Sequence, residues 1–335
     1  MTRDEIVSLI ERGGEALLAE ADAARKHHCG DAVHLRGIVE FSSVCSRNCA
    51  YCGLRKNNLA LRRYTMDEDD ILRVVAEAER QGVRTIVLQS GESEAYRPEW
   101  LARIIAAIKK RFDLAVTLCV GVKPLVCYRM WRQAGADRYL IKHETANPAL
   151  YEKLHPDSHL DQRLDALERL RMLGYQIGLG NIIGLPGQTA SDLADDILLA
   201  RDRDVDMAAF GPFVPHPGTP LGGCPPGDIE ISLRVVAVAR LLLGPVHIPA
   251  TTAFDAIAPD GRERALQAGA NVIMADLTPL HYRNLYQIYP NDRAANSVDR
   301  VKAILARLDR PLATDQGHSL KQRTEATPCG AHPKA

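Results

Sequence analysis

LRGIVEFSSVCSRNCAYCGLR, residues 35–55, changes character halfway along. It opens as an apolar, strand-like run, and Cys45, Cys49 and Cys52 follow at once in a C-x3-C-x2-C spacing, with Tyr51 directly before the last cysteine. The architecture depends on whether that strand is one of a series, and the chemistry on what three thiols with no fourth can hold.

The strand does recur. TIVLQSG (85–91), AVTLCVG (115–121), RYLIKHET (138–145), QIGLGNIIGL (176–185), DMAAFGPFVP (206–215), HIPATTA (247–253) and NVIMADL (271–277) are short apolar runs rich in β-branched residues. Amphipathic segments separate them. DEDDILRVVAEAERQG (67–82) carries acidic residues in its first turn and Gly82 at its end, as helix start and stop signals require. RPEWLARIIAAIKKRF, DQRLDALERLRMLG and SDLADDILLARDRD are further helical patterns. Strand and helix in alternation predict a parallel sheet, and eight such units predict an α/β fold of the complete (β/α)8 TIM-barrel type, with an open doubly wound sheet as the competitor. Because one such barrel uses about 250 residues, the expected organisation is a helical extension over residues 1–34, a barrel over 35–309 and a polar, mobile tail over 310–335. The extension is expected to lie against the barrel's N-terminal end.

Composition narrows the function classes. Lys+Arg 42 balance Asp+Glu 42, so no basic footprint for nucleic acid or an anionic membrane is present. The first 28 residues are charged throughout and lack the apolar centre of a signal peptide, and no later apolar run approaches about 18 residues. The expected location is the cytoplasm. Eight cysteines are too few for a disulfide scaffold in a chain of 335 residues, and in a reducing compartment a tight cluster points to metal binding or catalysis. Cys29, Cys119, Cys127, Cys224 and Cys329 are scattered, as small buried hydrophobes or incidental thiols would be.

Active sites in this fold gather at the C-terminal ends of the strands. Lying there are Cys45, Cys49 and Cys52 after strand 1, Ser90-Gly91-Glu92 after strand 2 and Glu144-Thr145 after strand 4. Strands 5 to 7 end in Gly184-Leu185-Pro186-Gly187, Pro212–Pro217 and Thr251-Thr252, and Tyr286 and Tyr289 follow strand 8. Three thiolates could hold a structural zinc ion if His27, His28 or Cys29 supplied a distant fourth ligand. A [4Fe-4S] cube held by three cysteines would instead leave one iron open to an exogenous ligand. Met207, Thr251 and Thr252 are compatible with packing, as are Tyr286 and Tyr289, which at i, i+3 would share a helical face. The glycines of Gly178–Gly184 lack the G-x-G-x-x-G spacing of a dinucleotide site and let a backbone approach a ligand closely.

C-x3-C-x2-C with an aromatic before the last cysteine, placed after the first barrel strand, resembles the signature of the radical S-adenosylmethionine (radical SAM) superfamily. The resemblance implies one [4Fe-4S] cluster on Cys45, Cys49 and Cys52, beside Tyr51, whose unique iron is chelated by S-adenosylmethionine. One-electron reduction of the sulfonium then gives a 5′-deoxyadenosyl radical, and a low-potential ferredoxin or flavodoxin is the implied electron donor. Ser90, Gly91 and Glu92 resemble the superfamily segment that meets the cofactor's ammonium.

Further matches resemble one family in particular, the HydE maturases of [FeFe]-hydrogenase. They are Phe41–Arg63, TIVLQSGE, AGADRYLIKHETANP, GLPGQT, GPFVPHPGTPL, IPATTA, AGANVIM and LYQIYP, spread over residues 30 to 325. The resemblance implies that Glu144 and Arg163 hold S-adenosylmethionine, that Met207 lies near the adenosine, and that Thr251, Thr252, Tyr286 and Tyr289 line a substrate cavity. It also implies other hydrogenase maturation proteins as partners and a cysteine-bound iron precursor, Fe(CO)2CN, as substrate, with the radical attacking sulfur. Two departures stand out. Lys142 occupies a position where many members carry Arg, and an ammonium cannot reproduce a bidentate guanidinium grip. Only Cys329 lies where some members hold a second cluster, so none is expected. The alternatives are an amino-acid mutase of the 3-methylornithine synthase type and a non-catalytic zinc or iron-sulfur protein.

Overall fold

The computed structural model describes residues 1–290 and 297–321. Eight parallel strands form one sheet: β1 (His34–Ser42), β2 (Thr85–Ser90), β3 (Ala115–Cys119), β4 (Arg138–Leu140), β5 (Gln176–Ile183), β6 (Met207–Pro212), β7 (Pro249–Ala250) and β8 (Val272–Asp276). They run in the order β6-β5-β4-β3-β2-β1-β8-β7, and a parallel bridge between Met207 and His247 joins the two ends of that row. The barrel is therefore nearly closed, and its seam is held by that single bridge among the described residues. All eight expected strands are present. β4 ends at Leu140, and the chain meets β5 again at an isolated bridge between Glu144, whose φ is +66°, and Asn181; β7 is short because Pro249 has no N–H to give the ladder and Thr251 is the N-cap of a helix.

Helices cover the sheet. The 67–82 pattern becomes α3 (Glu68–Arg80), which buries Ile71, Leu72, Val75 and Ala78 against the strands, each larger aliphatic contributing about 1.5–3 kcal/mol. The interior repeats every second residue: Ile38, Val87 and Thr117 pair in one rung, and Glu40, Gln89 and Cys119 in the next rung toward the mouth. A polar rung replaces the usual branched aliphatics, and the space it leaves becomes the cavity.

The N-terminal extension is two helices, α1 (Arg3–Arg12) and α2 (Glu15–Cys29). They lie on the barrel's flank rather than across its end: α1 packs on α8 (Ala190–Asp202) and α9 (Ile229–Leu243), and α2 packs on α9. The end of the barrel is taken by residues 310–321, the first part of the expected mobile tail. Ala313 N–H donates to Val33 O at 2.9 Å, Arg138 Nη2 to Gln316 O at 2.6 Å, Thr85 Oγ1 to the same carbonyl at 2.8 Å, and Ser319 Oγ to Asp206 at 2.6 Å. The rest of the tail, 322–335, lies outside the described residues. Among the described residues no helix is long and apolar enough to cross a membrane.

Candidate active site

At the C-terminal ends of the strands the interior opens into a cavity of about 310 Å³. Its lining brings together Cys45, Cys49, Cys52, Tyr51, Ser90, Gly91, Glu92, Lys142, Glu144, Arg163, Thr251, Thr252, Tyr286 and Tyr289. Thr145 and residues 184–187 and 215–217, also expected at the mouth, do not line it, and neither does Met207, expected beside a cofactor. It faces the interior below the cavity, where its Sδ accepts from Arg36 Nη1 at 2.8 Å.

The cysteine loop is irregular backbone held by other chain segments. Ser46 N–H donates to Glu92 O at 2.7 Å, Ala50 N–H to Leu154 O at 2.8 Å, and Gly53 N–H to Ile288 O at 2.8 Å. Arg63 gathers the carbonyls of Ser43, Leu54 and Arg55, each at 2.8 Å. Gly91 must be glycine: a Cβ there would stand 2.3 Å from Val44 O and 2.7 Å from Cys45 Cβ. Burial pushes all three thiols up, Cys49 to about 12 and Cys52 well above the ordinary range, so they give up their protons on binding metal.

Tyr51 is fixed from behind. His155 Nδ1 faces Tyr151 O at 3.0 Å and must donate to it, which leaves Nε2 to accept from Tyr51 OH at 3.0 Å. Burial, with Arg163 nearby, holds His155 down to about 4, so the neutral ring that this arrangement needs is the stable one. Arg163 Nε donates to Tyr151 OH at 2.7 Å and Nη1 to Lys142 O at 2.8 Å. Beside it, Glu144 pairs with Lys142 Nζ at 3.0 Å. Burial works to raise the Glu144 carboxyl, but Lys142 and Arg163 outweigh it and leave it below its ordinary value. Glu92 accepts from Arg47 Nε at 2.5 Å. Its carboxylate therefore reaches the cavity already paired.

The remaining wall carries a group of hydroxyls. Thr252 Oγ1 and Tyr289 OH are 2.6 Å apart, while Thr251 Oγ1 has no hydrogen-bond partner among the described residues. Tyr286 is buried, and burial holds its phenol well above the ordinary value. Tyr286 and Tyr289 follow α12 (Leu280–Arg283) in irregular backbone, so the helical face that their spacing suggested is absent. Gly178 and Gly180 do not line the cavity either: a Cβ on Gly180 would meet Ala209 O at 2.1 Å, so that glycine serves close strand packing.

Several lining residues were missed from the sequence. Glu40 and Gln89 interrupt apolar strands on the same alternate positions as Ile38 and Val87, and that polar interruption was the available signal. Cys119, read as incidental, also lines the cavity; Cys29, Cys127 and Cys224 do not. Cys329 lies outside the described residues.

The donor set fits an iron-sulfur cluster better than zinc. Among the described residues no three His, Cys, Asp or Glu side chains converge closely enough to hold a single metal ion. A cube spreads its thiolates over separate corners, and three cysteines on one cavity wall suit that demand.

Comparison with known proteins agrees. The radical SAM superfamily matches residues 39–200. The chain is 50% identical over 287 residues to the [FeFe] hydrogenase maturase subunit HydE of Thermotoga maritima, covering 85% of this chain and 82% of that protein. It is 27% identical over 305 residues to the 3-methylornithine synthase of Methanosarcina barkeri, covering 89% and 85%. The crystal structure of methylornithine synthase (PylB) superposes with a TM-score of 0.82 at 24% identity, over 93% of this chain and 94% of that one, a likeness of fold. With half of its aligned residues shared across most of both lengths, the chain belongs to the HydE family of [FeFe]-hydrogenase maturases, a branch of the radical SAM enzymes.

Proposed function

We propose that this enzyme acts in maturation of the [FeFe]-hydrogenase cofactor, binding one [4Fe-4S] cluster through Cys45, Cys49 and Cys52 and taking a cysteine-bound Fe(CO)2CN species as substrate. When bound, cluster and S-adenosylmethionine together supply a 5′-deoxyadenosyl radical by one-electron cleavage of the sulfonium. The chain's own residues bind and shield. Glu92, Glu144 and Arg163 surround the cofactor's polar end, and Tyr51 gives it a flat wall. Thr251, Thr252, Tyr286 and Tyr289 orient the substrate. Lys142 is held by Glu144 at 3.0 Å, so the cation in the family's Arg position is engaged by the Glu144 carboxylate before it meets the substrate. Other maturation proteins and a low-potential ferredoxin or flavodoxin are the partners.

The single observation that carries this reading is that the three cysteines share one cavity wall with Glu144 and Arg163, and that hydroxyl groups face the space left over. Anaerobic reconstitution tests it. A reduced [4Fe-4S] electron paramagnetic resonance signal should appear and change shape on adding S-adenosylmethionine. Protein that stays silent and loads zinc sinks the reading, and methylornithine formed from lysine assigns the cavity to the mutase instead.

A further inference from the structure

Asp196 lies outside the cavity lining, yet it is fully buried. It reaches from α8 beneath the loop that follows β4. Its Oδ1 accepts from Ala146 N–H at 2.5 Å and lies 3.0 Å from His143 Nε2; its Oδ2 accepts from Asn181 Nδ2 at 2.7 Å. A carboxylate only accepts, so His143 donates from Nε2. These three donors bracket one residue. His143 precedes Glu144 directly, Ala146 follows it by two, and Asn181 is its partner in a parallel bridge, where Glu144 N–H donates to Gly180 O at 2.9 Å and Ile182 N–H to Glu144 O at 2.9 Å.

Glu144 needs such a clamp. Its φ of +66° lies in the left-handed region that a residue with a Cβ resists, and such conformations persist only where the surroundings over-determine them. This turn is what aims the Glu144 side chain back into the cavity toward Lys142. Relaxed to an ordinary extended conformation, the same backbone would carry the carboxylate elsewhere.

We propose that Asp196 is a positioning residue for cofactor binding: it ties His143, Ala146 and Asn181 together so that Glu144 holds its left-handed conformation and presents its carboxylate to S-adenosylmethionine. This rests on the assignment of Glu144 as a cofactor-holding group, and the experiment separates the two. The dissociation constant of S-adenosylmethionine is measured by calorimetry on anaerobically reconstituted parent protein, Asp196→Asn, Glu144→Gln and the double variant, with iron content as the control for an intact cluster. Asp196→Asn should weaken binding about tenfold or more, the scale of lost outer-shell support. The double variant should bind no more weakly than Glu144→Gln alone, because Asp196 acts only through Glu144. A role in general stability would instead multiply the two losses, and that outcome overturns the proposal. So does Asp196→Asn binding within twofold of the parent while Glu144→Gln is weakened. If Glu144→Gln itself binds like the parent, the cofactor assignment fails and the positioning role with it. Should Asp196→Asn not fold, Asn181→Leu removes one of the three donors and is read by the same cycle.

Discussion

The mouth and the base of the barrel both bury charge, and they satisfy it in opposite ways. At the base, Arg138 is fully buried and donates to Gln176 at 3.0 Å, Thr85 at 3.1 Å and Gln316 O at 2.6 Å, with His318 at 3.2 Å. The segment 310–321 brings its backbone and side chains to these groups as a strap. At the mouth no segment among the described residues fills the space. Glu144 pairs with Lys142 and Glu92 with Arg47 around a cavity, Arg163 donates to Tyr151 OH and Lys142 O at its edge, and Thr251 Oγ1 is left without a partner among the described residues. Charge at the base is covered by the strap and stabilises the fold; charge at the mouth is paired beside an open space that a ligand can enter.

The contrast is broken most directly by exchanging the effects. Cys49→Ala at the mouth should abolish release of 5′-deoxyadenosine while leaving the thermal midpoint of the metal-free protein close to that of the parent, since the thiol makes no side-chain hydrogen bond among the described residues and the change removes one atom. Retained deoxyadenosine release would remove Cys49 from the ligand set.

Arg138→Ala should do the reverse. Burial pulls the Arg138 guanidinium down to about 10, still charged at neutral pH, and truncating it strands the acceptors that it serves. Removing one partner from a buried network costs about 3–5 kcal/mol. A large fall in thermal midpoint is expected, with the affinity for S-adenosylmethionine unchanged in whatever folds. A shifted affinity would show that base and mouth are coupled through the strands.

That division also explains what was legible in the sequence. The eight strands stood out because each is a continuous apolar run, and the cysteines because their spacing is short-range. The strap over 310–321 was illegible for the same reason that it works: Gln316, His318 and Ser319 are polar, and nothing local distinguishes a polar segment that meets buried Arg138 and Asp206 from one that meets water. Asp196 was hidden in the same way, since it sits beside half-buried Asp195, which pairs with Arg3 at 2.6 Å, in a run of charges that reads as a solvated helix face. Met207, at the start of β6, stands against Arg36 and outside the cavity lining.

The finest test of the strap is acid. His247 Nε2 lies 2.9 Å from His318 O and must donate to that carbonyl, while its Nδ1 is 3.0 Å from the Asn271 amide nitrogen and must accept from it. A second proton on the ring would meet a donor. Burial lowers the His247 pKa well below its ordinary value, with Arg36, His34 and Arg138 facing it and adding to the effect. The ring therefore stays neutral in the folded protein and takes up a proton near pH 6.5 on unfolding. Its contribution is complete above that pH and is lost as the pH falls, by about 1 kcal/mol between pH 6.5 and 5.5. Thermal midpoints of the parent and of His247→Gln, compared at pH 7.5, 6.5 and 5.5, should converge on acidification. Parallel curves would mean that the ring is charged in the fold, and that the carbonyl of His318 does not set its state.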